Sequence, residues 1–262
     1  MATTEAERLR RLAVVRRLEA AGFRAWPASS TSFDGTWAVR LTASFPAKRL
    51  NSVNPLDPSD HSDIAGRVAR AAERFAAFGR PLVFRQSPLA PKPLIDYLDR
   101  AGWSSFAESI VLTADLSAID LSAAIDRIPM RDMARYVDAS LKVHERSPDM
   151  RAGLMAILEA IRPAKALFVR ESPDGAPVAV MLAIHDEDLA GLLDLAVAPS
   201  ARRQGIGQDL VTTALRYCVH KGAKTGWLQV EADNEAGRAL YHGLGFTEAY
   251  RYIYRAPPGV AL

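Results

Sequence analysis

The segment that most constrains the fold is residues 195–210, which read Leu-Ala-Val-Ala-Pro-Ser-Ala-Arg-Arg-Gln-Gly-Ile-Gly-Gln-Asp-Leu. Its apolar start is typical of a buried strand, and a turn, a basic glycine-rich loop and a helix start follow. Free backbone N–H groups beside positive charge at the start of a helix form a natural anion site. The segment therefore predicts a strand, loop and helix that bind a phosphate group.

Two familiar phosphate loops do not fit this segment. A dinucleotide fingerprint has a third glycine where this chain has Leu210. A P-loop needs Gly-Lys-Ser/Thr, which the loop lacks. A plain strand–helix turn with solvated arginines is the remaining alternative, and the combination of arginines, strand and helix start favours phosphate binding over it.

Composition narrows the class of protein. Hydrophobic residues make up 49% of the 262 residues, which predicts a packed core. The net charge of +3 is too small to indicate nucleic-acid binding, and the single Cys218 allows no internal disulfide. We expect no metal site, no membrane span and no secretory signal, since arginines interrupt residues 9–23, and we expect a cytoplasmic location.

Periodicity and turn residues predict alternating helices and strands, with a boundary within residues 115–130. Thr4 and Glu7 fit a capping box, Gly22 is expected to end the first helix, and residues 51–58 have loop composition. The predicted helices are residues 4–21, 63–78, 93–100, 131–145, 148–161, 206–221 and 235–244. The predicted strands are residues 37–41, 82–84, 109–113, 166–170, 178–184, 192–197, 227–231 and 247–254.

A weak internal repeat links the two halves of the chain. Gly102-Trp103 and Gly245-Phe246 each follow a short helix and precede an apolar strand, and their alignment places Leu98 opposite Tyr241. The first copy lacks any Arg-Arg-x-Gly-x-Gly equivalent. A duplicated fold with one inactive copy would explain this pattern, and chance similarity is the alternative.

Two motifs in register resemble the GCN5-related N-acetyltransferase (GNAT) superfamily. Val197-Ala-Pro199 with Arg202-x-x-Gly205-x-Gly207 is similar to its motif A, and Glu231-Ala-Asp-Asn234 with residues 239–246 is similar to its motif B. The resemblance implies an α/β GNAT fold, in which a mixed, mostly antiparallel sheet is flanked by helices. We expect a catalytic domain over residues 119–262, preceded by a degenerate GNAT-like domain over residues 1–118.

The resemblance also implies acetyl-CoA as the co-substrate. The pyrophosphate is expected on the N–H groups of residues 203–208, and the pantetheine arm beside the strand that ends at Val197, where strands 192–197 and 227–231 separate. Asn234 is expected either to contact the cofactor arm or to cap the helix that follows it. The full set of expected cofactor contacts is Leu195, Ala196, Val197, Ala198, Arg202, Arg203, Gln204, Gly205, Ile206, Gly207, Gln208, Asn234, Gly237, Leu240 and Tyr241.

Acyl transfer to an amine needs one proton donor and one proton acceptor. By resemblance, Tyr241 is the acid that protonates the departing thiolate. Glu231 and Asp194 are the candidate bases, each acting through water. Some relatives place a glutamate at Gln229 or near Gly191, and this chain has none there.

The expected function is transfer of an acetyl group from acetyl-CoA to a primary amine by direct attack in a ternary complex. The alternatives are a non-catalytic acyl-CoA sensor and a transferase of longer acyl groups, with nucleotide-dependent oxidoreduction more remote. The acceptor could be a small molecule or a protein amine. No nucleic-acid or membrane partner is expected, and a homodimer is one option for assembly.

Overall fold

A single sheet of ten strands runs through the computed structural model, which describes residues 4–260. The strands are β1 (Ser30–Asp34), β2 (Trp37–Leu41), β3 (Ser52–Pro55), β4 (Phe84–Gln86), β5 (Ser104–Asp115), β6 (Ala164–Glu171), β7 (Pro177–Asp186), β8 (Leu189–Val197), β9 (Thr225–Glu231) and β10 (Thr247–Ala256). The helices are α1 (Glu5–Ala25), α2 (Ile64–Ala77), α3 (Lys92–Arg100), α4 (Met133–Val143), α5 (Arg151–Ala160), α6 (Ile206–His220) and α7 (Glu235–Gly243).

The predicted fold class is confirmed. The strand order is β1-β2-β3-β4-β10-β5-β9-β8-β7-β6, and among the strands of residues 4–260 only the pairs β3–β4 and β8–β9 are parallel. Alternate residues of β7 enter different cores: Leu182 packs with side chains of α1, α4 and α5, whereas Met181 packs with those of α6. Because side chains alternate across a strand, the helices cover both faces of the sheet.

The two halves of the chain use the same pattern of strand pairing. In each half, three antiparallel strands are followed by a helix and a fourth, parallel strand: β1 to β4 in the first half and β6 to β9 in the second. The last strand of each half then crosses over. β5 of the first half pairs with β9, and β10 of the second half pairs with β4. The centre of the sheet is therefore built from both halves.

Strands β8 and β9 separate part-way along their length. Their parallel register runs from Leu189 opposite Thr225 to Leu192 opposite Leu228 and then stops. Beyond that point β8 stays paired with β7 on its other side. One backbone edge of residues 193–197 consequently faces a gap, as the resemblance implied.

Several local expectations were correct and others were wrong. Thr4 and Glu7 form the capping box of α1, but the helix continues past Gly22 to Ala25. Gly22 therefore lies inside the helix, where its missing side chain leaves room for Gln229, which would come within 3.3 Å of a Cβ at this position. Residues 52–55, expected in a loop, form β3, and the polar strand β1 was not predicted.

Candidate active site

Two cavities open into the gap between β8 and β9. One, of about 750 Å³, follows the glycine-rich loop and α7. The other, of about 510 Å³, lies between β9, β10 and the 45–49 segment. Four residues line both cavities: His144, Leu195, Asn234 and Tyr241. The cavities therefore meet at one place, as a two-substrate site requires.

The glycine-rich loop presents a row of free donors to the larger cavity. Within residues 4–260, the backbone N–H groups of residues 203–208 have no hydrogen-bond acceptor. Arg203 (φ 62°) and Gly205 (φ 77°) adopt left-handed backbone conformations that turn the chain into α6. Unpaired N–H groups at a helix start are suited to a pyrophosphate.

The loop folds back against the end of β8. Nε of Arg202 donates a hydrogen bond to the Val197 carbonyl at 3.1 Å. A Cβ on Gly207 would lie 3.6 Å from both Val197 and Leu240, so the helix start packs closely on β8 and α7. These contacts hold the free N–H groups of residues 203–208 beside the open edge of β8.

Most of the residues predicted for the cofactor line the larger cavity, and two do not. Ala198 donates its N–H to the Val178 carbonyl at 2.8 Å, and Gln204 donates its side-chain amide to the Ser200 carbonyl at 3.4 Å. Asn234 caps α7, since its Oδ1 accepts the Gly237 N–H at 2.9 Å. It also lines both cavities, and contact with the cofactor arm stays a prediction.

Tyr241 lies where the two cavities join. The side chain is buried, with its ring edge-on to Phe246, and its hydroxyl has no hydrogen-bond partner among the described residues. Burial raises the pKa of Tyr241 to about 12. The phenol therefore stays protonated across the neutral and mildly alkaline range.

Asp194 is held at a bulge in β8. Val180 pairs with Ala196 while Leu182 pairs with Leu193, so two residues of β8 lie opposite one of β7. Asp194 itself has φ 52°, in the left-handed region. This backbone turn brings its carboxylate under the sheet, where it lines the smaller cavity.

Both oxygens of the Asp194 carboxylate have polar partners. Its side chain is 3% exposed; Oδ2 accepts hydrogen bonds from Ser140 at 2.7 Å and Tyr136 at 3.1 Å. Oδ1 lies 3.0 Å from Nε2 of His144 and 3.1 Å from Nη1 of Arg146. Burial acts to raise the pKa of Asp194, but the hydrogen bond and charge of His144 and the charge of Arg146 outweigh it and lower the pKa to about 2.

Glu231 is in a different environment at the end of β9. Its side chain is 61% exposed, and its carboxylate lies 3.9 Å from Nζ of Lys48. It lines the smaller cavity with Tyr241. A solvated carboxylate in this position can exchange protons through water.

Comparison with known proteins identifies the family. A family model described as "Probable histone acetyltransferase Rv0428c C-terminal" matches residues 12–255. The chain belongs to this acetyltransferase family. The N-acetyltransferase YobR of Bacillus subtilis, itself described as uncharacterized, is 25% identical over 92% of this chain and 98% of its own length.

Shorter and structural matches place the family within the GNAT superfamily. The [ribosomal protein bS18]-alanine N-acetyltransferase of Escherichia coli K12 is 44% identical over 62 residues, 24% of this chain and 42% of that protein. A GCN5-related N-acetyltransferase from Kribbella flavida has a TM-score of 0.66 and 17% identity over 95% of this chain and 97% of its own. A tandem GNAT protein from the clavulanic acid biosynthesis pathway has a TM-score of 0.64 and 16% identity over 94% of this chain and 89% of its own. The protein is thus a GNAT acyltransferase, and the expected superfamily and enzyme class are confirmed.

The sequence analysis did not predict several residues of this GNAT site. Trp26, Phe45, Lys48 and Arg49 line the smaller cavity although they come from the first half. Local periodicity cannot predict this, because it depends on how the two halves join. Tyr252 and Tyr254 of β10 also line the smaller cavity.

Within residues 4–260, no group of three or more His, Cys, Asp or Glu side chains could hold a metal ion. No helix within the same residues is both long and apolar enough to cross a membrane.

Proposed function

We propose that this GNAT enzyme transfers an acetyl group from acetyl-CoA to a primary amine by direct attack in a ternary complex. The observation that most supports this is the position of Tyr241, which lines both cavities and whose hydroxyl has no hydrogen-bond partner among the described residues. One cavity has the free donors that suit a coenzyme, and the other has space for an acceptor.

The residues present fit the coenzyme. The unpaired N–H groups of residues 203–208 would bind the pyrophosphate, and the open edge of residues 193–197 would bind the amides of the pantetheine arm. When bound, acetyl-CoA supplies an activated thioester. Backbone N–H groups near Val197 would then polarise the thioester carbonyl.

Two side chains would move protons. Glu231, acting through water, takes a proton from the attacking amine as the new C–N bond forms. Tyr241 donates a proton to the sulfur as the C–S bond breaks. Asp194 is the other candidate base, but its low pKa and its four partners suit it better to a positioning role.

We further propose that residues 119–262 perform the chemistry and that residues 1–118 are a GNAT-like companion. The connection between β3 and α2, which corresponds to the glycine-rich loop, is acidic rather than basic. There the Asp60 carboxylate accepts the Thr36 N–H at 2.7 Å and binds Arg67. Leu98, opposite Tyr241 in the repeat, is a buried core residue. The companion instead contributes one wall of the smaller cavity.

The test is the Tyr241→Phe variant with Tyr217→Phe as its matched control. Tyr217 lies on α6 against Phe168, away from both cavities. Loss of a general acid should lower kcat by roughly 100-fold, whereas calorimetry should show coenzyme A affinity within about twofold of the unmodified enzyme. Turnover is measured as thiol release from acetyl-CoA with a panel of amines.

Three outcomes would contradict the proposal. Unchanged turnover in Tyr241→Phe would remove Tyr241 from the mechanism. Absence of coenzyme A binding would remove the coenzyme assignment. Faster turnover with propionyl- or succinyl-CoA than with acetyl-CoA would instead identify a transferase of longer acyl groups.

A further inference from the structure

The wall of the smaller cavity is aromatic and cationic. Trp26, Phe45, Trp227, Tyr252 and Tyr254 supply most of its aromatic surface. Its cationic side chains are Lys48, Arg49 and Arg146, its carboxylates are Asp194 and Glu231, and His144 also lines it. We call this the acceptor cavity.

Both carboxylates already have cationic partners. Asp194 is bound by His144 and Arg146. Glu231 lies closest to Lys48. Arg49 is half-buried and forms no ion pair or side-chain hydrogen bond with any residue from 4 to 260. One guanidinium of the acceptor cavity is therefore left without a counter-charge.

A second arginine lies directly behind Arg49. Arg40 is 3% exposed and donates hydrogen bonds only to backbone carbonyls, at 2.6 Å to Trp26 and 2.8 Å to Arg49. Its Nε has no partner, and its guanidinium lies 4.2 Å from the centre of the Phe23 ring. It lines a narrow recess that shares Arg49 and Trp227 with the acceptor cavity.

Neither Arg40 nor Arg49 forms an ion pair with a carboxylate of the described residues. Glu19, a buried acid that lines the recess, attracts Arg40, but its carboxylate is bound by Arg85 and by the Tyr250 hydroxyl. Burial, followed by repulsion from Arg85, lowers the pKa of Arg40 to about 9, so that it is still charged at neutral pH. Buried positive charge without a partner is costly, and a bound anion would offset that cost.

We propose that the acceptor of this enzyme is a small amine that also carries an anionic group, a carboxylate or a phosphate, which Arg49 binds with Arg40 behind it. This rests on the proposed acetyl transfer. The amine end lies toward Tyr241 and Glu231, and the aromatic wall covers the body of the acceptor. The anionic group takes no part in bond making. The positive charges of Arg49 and Arg40 disfavour polyamines and lysine-rich peptides.

The experiment compares paired acceptors with and without the anionic group. Phenylalanine is tested against phenylalaninamide, and O-phosphoethanolamine against ethanolamine, with acetyl-CoA and thiol release as the measure. We expect the anionic member of at least one pair to have a kcat/KM higher by about tenfold or more, the size expected for a charge-assisted hydrogen bond. A higher kcat/KM for phenylalanine would identify a carboxylate site, and a higher kcat/KM for O-phosphoethanolamine would identify a phosphate site.

The variants are Arg49→Met, Arg49→Lys and, as a matched control, Arg10→Met on the exposed face of α1. In Arg49→Met, the ratio of kcat/KM for the anionic acceptor to kcat/KM for its neutral counterpart should fall by about tenfold. Arg49→Lys should restore part of the preference. Arg10→Met should retain all of it.

Calorimetric titration of the same probes keeps the inference separate from the proposed function. Tighter binding of the anionic probe, lost in Arg49→Met, supports the anion site even if no acetyl transfer occurs, in which case only the proposed function fails. Equal binding and equal turnover of both members of each pair would overturn the inference. So would a preference for spermidine or a lysine-rich peptide over every anionic amine.

Discussion

At the scale of single residues, Asp194 shows how one side chain can organise a site. It departs from regular strand geometry, with φ 52°, and its carboxylate then joins β8 to His144, Arg146 and the α4 residue Ser140. A buried carboxylate of this kind is tolerable only because each oxygen has partners. Its arrangement places His144 and Arg146 in the wall of the smaller cavity.

This arrangement makes stability depend on pH. The pKa of Asp194 is lowered to about 2 in the folded protein and is about 3.9 in an unfolded chain. Because the pKa is lower in the folded protein, the ionised Asp194 contributes about 2.5 kcal/mol to the free energy of unfolding. This contribution is fully present above about pH 5 and is lost as the pH falls from about 4 to about 2. Urea unfolding of the native protein between pH 6 and pH 3 should show this loss beginning.

The Asp194→Asn variant checks the assignment. Asparagine tolerates the same backbone conformation but leaves Arg146 without a counter-charge, so the free energy of unfolding at pH 7 should fall by about 3 kcal/mol. Its stability should also fall less steeply below pH 5 than that of the native protein. Asp138→Asn, which removes an exposed partner of Arg151, is the control and should change the unfolding midpoint little. Parallel pH profiles for native protein and Asp194→Asn would exclude this role.

At the scale of elements, the start of α6 combines two glycines with different purposes. Gly205 has φ 77°, which a side chain disfavours. Gly207 has an ordinary helical backbone, and a Cβ there would make normal contacts at 3.6 Å. The backbone conformation therefore requires glycine only at position 205. At position 207, we expect the missing side chain to leave the N–H groups of residues 203–208 accessible to a ligand.

The two glycines should therefore respond differently to alanine. Gly205→Ala should lower the free energy of unfolding by about 1 kcal/mol because of its left-handed backbone. Gly207→Ala should leave stability unchanged or raise it by up to about 1 kcal/mol, yet weaken coenzyme A binding measured by calorimetry. Gly243→Ala in α7 has open space around it and is the control for helix propensity. Coenzyme A affinity unaffected by Gly207→Ala would argue against the proposed pyrophosphate position.

At the scale of the whole molecule, the exchange of the last strands joins the two halves. β5 pairs with β9 from Ser109 opposite Glu231 to Asp115 opposite Thr225, and with β10 on its other side. A fragment of residues 119–262 would lose β4 and β5, which leaves one edge of β9 unpaired and β10 without any strand partner. Exposed edges of this kind promote aggregation.

Fragment 119–262 expressed alone should therefore be aggregated or unfolded. Co-expression with residues 1–118 should give a soluble complex that binds coenzyme A, since the missing strands are restored. Size-exclusion chromatography and circular dichroism provide the measurement, with the intact chain as the reference. A monomeric, cooperatively folding 119–262 fragment would show that the crossed strands are dispensable.

What the sequence could predict followed from local chemistry. The boundaries of α6, β9 and α7 agree with the predicted ones to within two residues, because apolar periodicity, glycines and the Asn234 cap are local signals. The neighbours of β5 could not be predicted, since strand partners far apart in the chain are selected by packing of the whole sheet. The same reason hid Arg49 and Trp26, which reach the acceptor cavity only after the halves have joined.

The crossed strands also determine how substrates enter and leave. A site between two halves often opens by a hinge, but here hinge opening would break the backbone hydrogen bonds that connect β4, β10, β5 and β9. We expect substrates to exchange through the mouths of the two cavities, without relative movement of the two halves. A cycle of this kind needs no large change of shape, and small-angle scattering should give the same radius of gyration with and without bound ligands.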